Sequence, residues 1–196
     1  MLPATPDLVG APPPARHFNS KSPLITLVLN VALFDLGWMS TNPRISGRGH
    51  RALRRGRYSQ RHRIYHVSTA TLDRRPVFAD LSSGRIVVRA MRREDEAGHT
   101  ETLAFVVMPD HLHWLVRLTG TRELSSSVSV VKSYTSRRLN KMVDGTGPVW
   151  QRGYYDHALR DERSLQDIAR YIVANPIRAG LANRFGDYPL WDVKWI

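Results

Sequence analysis

Residues 106–118 read VVMPDHLHWLVRL, and the fold hangs on them. Val106 and Val107 close one apolar strand, Met108-Pro109-Asp110 makes a turn, and 111–118 alternates strictly as a second strand. A period of two puts His111, His113, Leu115 and Arg117 on one face of that strand and Leu112, Trp114, Val116 and Leu118 on the other. The second set is wholly apolar and must face a core, Trp114 included. The face with two imidazoles side by side is then the wetter one. An H-x-H pair is a recurring metal-binding arrangement and also occurs by chance on half-exposed strands, so the pair alone leaves both readings open.

Upstream of this stretch, 64–71 (IYHVSTAT) is β-rich, and 81–94 suits a helix whose start is marked by Ser82 and Ser83. Gly98 breaks the chain, and 101–107 (ETLAFVV) is the strand entering the turn. Downstream, 122–143 reads as a basic helix carrying Lys132, Arg137, Arg138 and Lys141. After a loop at 145–148, 154–159 looks like a fourth strand. A last helix over 164–175 is stopped by Pro176. The order β-α-β-β-α-β-α implies an α+β fold, a mainly antiparallel, ferredoxin-like sheet with helices packed on it. The sequence holds no internal repeat.

The remainder of the chain differs in kind. Residues 1–23 contain six of the twelve prolines, which rules out a continuous helix or central strand there. The apolar run 24–38 includes Asn30 and Asp35 and falls short of the ~20 residues a membrane helix needs. Residues 1–38 read as a non-catalytic extension, possible upstream translation ahead of Met39. Between Arg44 and Arg63 stand eight arginines and no acid, against a net charge of +12 for all 196 residues. A basic arm over 39–63, with Arg54, Arg55 and Arg57 at its centre, suits polyphosphate, because neutralised phosphates release counterions and Arg grips phosphate bidentately. A solvated basic tail has the same composition. The absence of cysteine excludes disulfides, thiol nucleophiles and zinc-finger or iron–sulfur sites, and fits a reducing cytoplasm. Residues 64–196 then form the functional domain.

In the last helix Leu165, Ile168, Ala169, Ile172 and Val173 form an apolar stripe at helical spacing. Tyr171 lies roughly 130° from the centre of that stripe, and Asn175 stands one turn further on the same flank. A tyrosine off the packing face beside an amide oxygen suits a nucleophile next to an oxygen ligand. It equally suits an amphipathic surface Tyr and a helix-ending Asn before Pro.

The strings VVMPDHLHWLVRL (106–118), VKSYTSRRLN (131–140), VWQRGYYDHALRDE (149–162) and ARYIVANPIRAGL (169–181) resemble, in order and spacing, the REP-associated tyrosine transposases. These are bacterial relatives of the IS200-like transposases within the single-tyrosine HUH endonucleases. The resemblance covers residues 58–191 and leaves 1–57 outside it. It implies that His111 and His113 are the metal ligands of the HUH motif, that Tyr171 is the nucleophile, and that Asn175 completes the metal site. Many relatives carry Gln where this chain has Asn175. Tyr134, Tyr154 and Tyr155 are rival tyrosines, and none has an amide oxygen four residues later.

The implied reaction is transesterification of single-stranded DNA at palindromic hairpins through a 5′-phosphotyrosine, with Mg²⁺ or Mn²⁺ as the divalent ion and no ATP. Lys132, Arg137, Arg138, Lys141 and Arg152 are candidates for holding phosphates, and Trp150 and Tyr154 for stacking unpaired bases. The resemblance implies a monomer working in the cytoplasm beside the nucleoid, with no membrane partner. Two other readings remain open: a domesticated protein that binds hairpins without cutting, and a nuclease that uses water and forms no adduct.

Overall fold

A computed structural model of the protein describes residues 59–159 and 162–194. The N-terminal extension and most of the basic arm, with Arg54, Arg55 and Arg57, lie outside the described residues. Within them, β1 (Ile64–Ala70), β2 (Thr100–Met108), β3 (His111–Leu118), β4 (Tyr155–Ala158) and β5 (Trp191–Val193) form one sheet in the order β4-β1-β3-β2-β5. Every pairing is antiparallel. Three helices, α1 (Leu81–Glu96), α2 (Leu124–Met142) and α3 (Glu162–Arg178), complete the predicted α+β order, to which β5 adds an edge strand that the sequence reading did not include.

The two faces of the sheet follow from strand alternation. On one, Tyr65, Val67, Phe105, Val107, Leu112, Trp114, Val116 and Leu118 are buried with Ile86, Val87, Ala90 and Met91 of α1 and Leu124, Val128, Val131 and Leu139 of α2. Each such side chain contributes about 1.5–3 kcal/mol through burial. Trp114 is 1% exposed, and its indole N–H donates to Thr102 Oγ1 at 3.0 Å, so its one polar atom is satisfied. Buried Glu94 near the end of α1 accepts from Arg122, just ahead of α2, at 2.8 and 3.0 Å. On the other face Ala104, Val106, Met108 and Leu115 pack with Ala169 and Ile172 of α3.

Two helix ends depart from expectation. The cap of α1 is Asp80, not Ser82 or Ser83: its Oδ1 accepts the Ser82 and Ser83 amides at 2.8 and 3.2 Å, which makes both serines first-turn residues. Pro176 does not stop the last helix, which runs on to Arg178. A proline removes the N–H that would reach the carbonyl four residues back, here that of Ile172. The Asn175 side-chain amide reaches that carbonyl instead at 3.3 Å, and the Tyr171 carbonyl at 2.8 Å. The break is bridged by a side chain.

Candidate active site

Cross-strand register gathers the polar residues of the sheet under α3. His113 stands opposite Ser68 of β1 and Val106 of β2, and His111 opposite Ala70 and Met108. His66 of β1 pairs with Leu115, one pleat along from His113 and on the same face. The His111 and His113 rings lie 4.9 Å apart at 89°. The Tyr171 ring meets His113 edge-on at 5.9 Å and His66 at 6.5 Å. Thus the two imidazoles of the H-x-H pair and the tyrosine of the last helix come together within one chain.

The expectation that this face is the wet one is wrong. His113 and His66 are each 2% exposed, because α3 covers the pleat that the sequence left open to solvent. Burial has an electrostatic consequence, since an imidazolium loses its hydration there. Desolvation pushes His113 well below the ordinary imidazole range, and His66, His111 and the cations of Arg74 and Arg178 push the same way. His66 is pushed down to about 4, again mainly by burial. For His111 desolvation outweighs the opposing pull of Asp110. All three rings are neutral near pH 7 and keep nitrogen lone pairs.

Hydrogen bonds orient them. The Asp110 carboxylate accepts from His111 Nδ1 at 2.6 Å and is itself held by Arg74 at 3.2 Å. His66 Nε2 and His113 Nδ1 lie 3.2 Å apart. Across the ring of Tyr171, the Arg178 guanidinium sits 4.9 Å from the centroid. Asn175 spends its amide protons on the helix backbone, so its oxygen is the end left for another partner.

His66, Asp110, Arg74 and Arg178 were not singled out from the sequence. His66 shares its face with Ser68 and Ala70 by simple alternation, but only the β1–β3 register sets it beside His113. Arg178 stands seven residues, two helical turns, beyond Tyr171, and becomes visible once the helix is allowed to pass Pro176.

Two of the rival tyrosines lie on the other face of the sheet, and the third, Tyr155, stands opposite Ser68 on the face of the histidines at the β4 edge. Tyr134 packs beside the core under α2 with the Arg93 guanidinium 5.3 Å from its ring, Tyr154 lies against the same core, and Tyr155 is 47% exposed on β4. The candidate DNA-contact residues of α2 and of the 150–154 segment divide between two open clefts. Lys132, Arg137, Trp150, Arg152 and Tyr154 line one of about 550 Å³. Arg138 and Lys141 line another of about 500 Å³ together with Arg85 and Arg89 of α1. Two of these side chains are already engaged within the protein. Trp150 is 5% exposed and packs against Phe78 at 4.9 Å with the rings tilted by 40°, so most of its ring belongs to the core. Lys132 donates to the carbonyls of Gln151 and Gly153, which makes it a tie for the 151–153 loop.

Comparison with known proteins decides the kinship. The IS200-like transposase family matches residues 59–175, more than half of the chain. The chain belongs to that family. Among IS200-like relatives, a REP-associated tyrosine transposase of Escherichia coli is 28% identical over 90 residues, covering 45% of this chain and 52% of the relative. A Haemophilus influenzae protein with a REP-associated tyrosine transposase name is 27% identical over 99 residues, covering 45% and 56%. The chain therefore spans about half the length of these curated relatives. The fold is shared with a solved REP-associated tyrosine transposase bound to a REP hairpin, at a TM-score of 0.59 and 20% identity, over 69% of this chain and 79% of that one. No helix among the described residues is long and apolar enough to cross a membrane.

Proposed function

We propose that this IS200-like protein cleaves and rejoins single-stranded DNA at palindromic hairpins, with Tyr171 as nucleophile and His111, His113 and Asn175 as metal ligands. The observation that carries the reading is the Tyr171 ring against His113 at 5.9 Å, both from one chain. That closeness favours a monomer using its own tyrosine. The E. coli relative's name and the hairpin-bound neighbour support the substrate class.

The donor set fits a divalent ion. Among the described residues no group of three or more His, Cys, Asp or Glu side chains is arranged to hold a metal. Two neutral imidazoles and an amide oxygen fall outside that description, and they suit Mg²⁺ or Mn²⁺, the second matching nitrogen better. When bound, the ion would polarise the scissile phosphate and stabilise charge on the leaving oxygen. The chain's own groups do the rest. The Tyr171 oxygen attacks the phosphorus as the phenolic proton departs, the P–O3′ bond breaks, and the 3′ oxygen leaves as a hydroxyl after taking up a proton. Arg178, over the Tyr171 ring, is placed to meet a phosphate arriving there. Of the residues near the fourth strand, His157 pairs with His66 and shares its face, whereas Asp156 pairs with Val67 on the opposite one. On β4 the face of the imidazoles is therefore shared by His157 and by Tyr155, which pairs with Ser68.

Phosphates of the hairpin would be held by Arg137, Arg152, Arg138, Lys141 and the arm with Arg54, Arg55 and Arg57, with Lys132 acting through the loop it ties. Residues 64–196 form the catalytic domain in this reading, and 1–38 contribute nothing to catalysis.

Tyr171→Phe is the test. With labelled hairpin DNA and Mn²⁺ on a denaturing gel, wild type gives a protein–DNA adduct and Tyr171→Phe gives neither adduct nor nick, while affinity stays within about twofold. Phe at Tyr134, Tyr154 or Tyr155 retains the adduct. Adduct from Tyr171→Phe sinks the assignment of the nucleophile. Nicking without adduct in every variant shows hydrolysis, and hairpin binding without nicking by wild type shows a binding protein.

A further inference from the structure

His66 takes no part in the site that the H-x-H pair suggests, yet it is buried at 2% exposure in contact with His113, one of the two histidines among the three proposed ligands. Its ring lies 5.3 Å from that of His113 at 32°, with Nε2 3.2 Å from His113 Nδ1. Its other nitrogen, Nδ1, is buried with no hydrogen-bond partner. Buried polar atoms are satisfied as a rule, so an orphan here marks a geometry held for another reason.

Two ring nitrogens at 3.2 Å make a hydrogen bond with one proton between them, and there are two ways to place it. If His66 donates, His113 accepts at Nδ1 and must carry its own proton on Nε2, which then cannot bind a metal. If His113 donates from Nδ1, its Nε2 keeps a lone pair, and His66 carries its proton on the orphaned Nδ1. His111 supplies the comparison. Its Nδ1 faces the Asp110 carboxylate, an acceptor only, so His111 carries its proton on Nδ1 and presents Nε2. Metal-bound histidines characteristically donate their second N–H to such a partner, which fixes tautomer and ring orientation.

We propose that His66 is a positioning residue that accepts the His113 Nδ1–H and so fixes His113 in the tautomer that presents Nε2, as Asp110 does for His111. This rests on the reading that His111 and His113 hold the metal. The two ligands are thus oriented by unlike partners, a half-exposed carboxylate for one and a buried neutral imidazole for the other. A neutral partner sets the tautomer without adding charge to a covered site, where an unpaired carboxylate is costly.

The test is nitrogen-15 spectroscopy of the full, histidine-labelled protein without metal, joined to Mn²⁺ titration by calorimetry. Wild type is expected to show His113 protonated at Nδ1. His66→Phe, which keeps the ring volume and removes the acceptor, should move that proton to Nε2 and weaken Mn²⁺ binding about 10–100-fold. His66→Gln, which keeps an acceptor near the position of Nε2, should retain the wild-type tautomer and an affinity within about threefold. The His111 signals should be the same in all three. Wild-type His113 protonated at Nε2 overturns the proposal without any variant, so a failure of His66→Phe to fold does not shelter it. If His113→Ala loses Mn²⁺ but His66→Phe does not, His66 is structural only and the metal site stands. If His113→Ala binds Mn²⁺ like wild type, the metal reading fails and the positioning role fails with it.

Discussion

The two faces of the central sheet are built from the same strands and serve opposite ends. Under α1 and α2, β3 presents Leu112, Trp114, Val116 and Leu118 to an apolar core. Under α3 the alternate residues of β3 and β1 bring three imidazoles together, two of which, His113 and His66, are as buried as Val116 is within a few per cent while His111 keeps 18% of its side chain exposed. Burial alone therefore does not distinguish a core from a site. What distinguishes them is how the polar atoms are satisfied. Trp114 spends its one N–H on Thr102, whereas the histidines end in lone pairs and in an orphaned nitrogen.

The contrast breaks most visibly at Trp114. Trp114→Ala should cost about 3–5 kcal/mol through lost burial and a residual cavity, measured by urea unfolding. A loss below about 1 kcal/mol would show that the α1/α2 face does not carry the stability of the domain.

Acid should act on the other face. In protein freed of metal by chelator, the folded-state pKa of His66 is depressed from 6.5 to about 4, so the unfolded chain takes up the proton first. Stability is then full above about pH 6.5 and falls as pH drops toward 4, by up to about 3 kcal/mol from this group, with buried His113 adding in the same direction. Thermal melts between pH 7 and pH 4 check it, and Trp114→Ala should leave that slope unchanged. A flat profile would mean that the α3 face opens to water.

His113→Ala should cost about 1–3 kcal/mol, because it empties a covered position and strands His66. On a wet strand face the same change would be nearly neutral, so denaturant unfolding measures directly how closed the site is.

The smallest effects belong to the clefts. Arg137→Gln and Arg138→Gln should each weaken hairpin binding a few-fold and lower the salt slope by about one, without affecting the melt. An unchanged slope for Arg138→Gln alone would confine the DNA to the cleft between α2 and the 148–154 loop.

Much of this was legible in the sequence, and the failures share a cause. Alternation in 111–118 separated Trp114 from His113 correctly, and helical spacing placed Tyr171 on a flank with Asn175. Periodicity assigns a residue to a face but does not say what covers that face, which is why His113 was expected in water. Register is the second gap. His66 lies 47 residues from His113 in the chain, and only strand pairing makes them neighbours. The third is local chemistry, since Pro176 normally ends a helix and does so less sharply when the residue before it carries an amide.

That amide has a consequence for how this chain tolerates change. Asn175 mends the helix with its nitrogen while its oxygen is the proposed ligand, so one small side chain answers to two demands through opposite atoms. Aspartate would improve the ligand by charge, yet it would turn a second acceptor toward the Tyr171 and Ile172 carbonyls, the second of which has already lost its helix donor to Pro176. Glutamine would offer both atoms one methylene further out. Neither demand can drift alone, and a sequence that alters position 175 must in the same step rebuild the turn around 176.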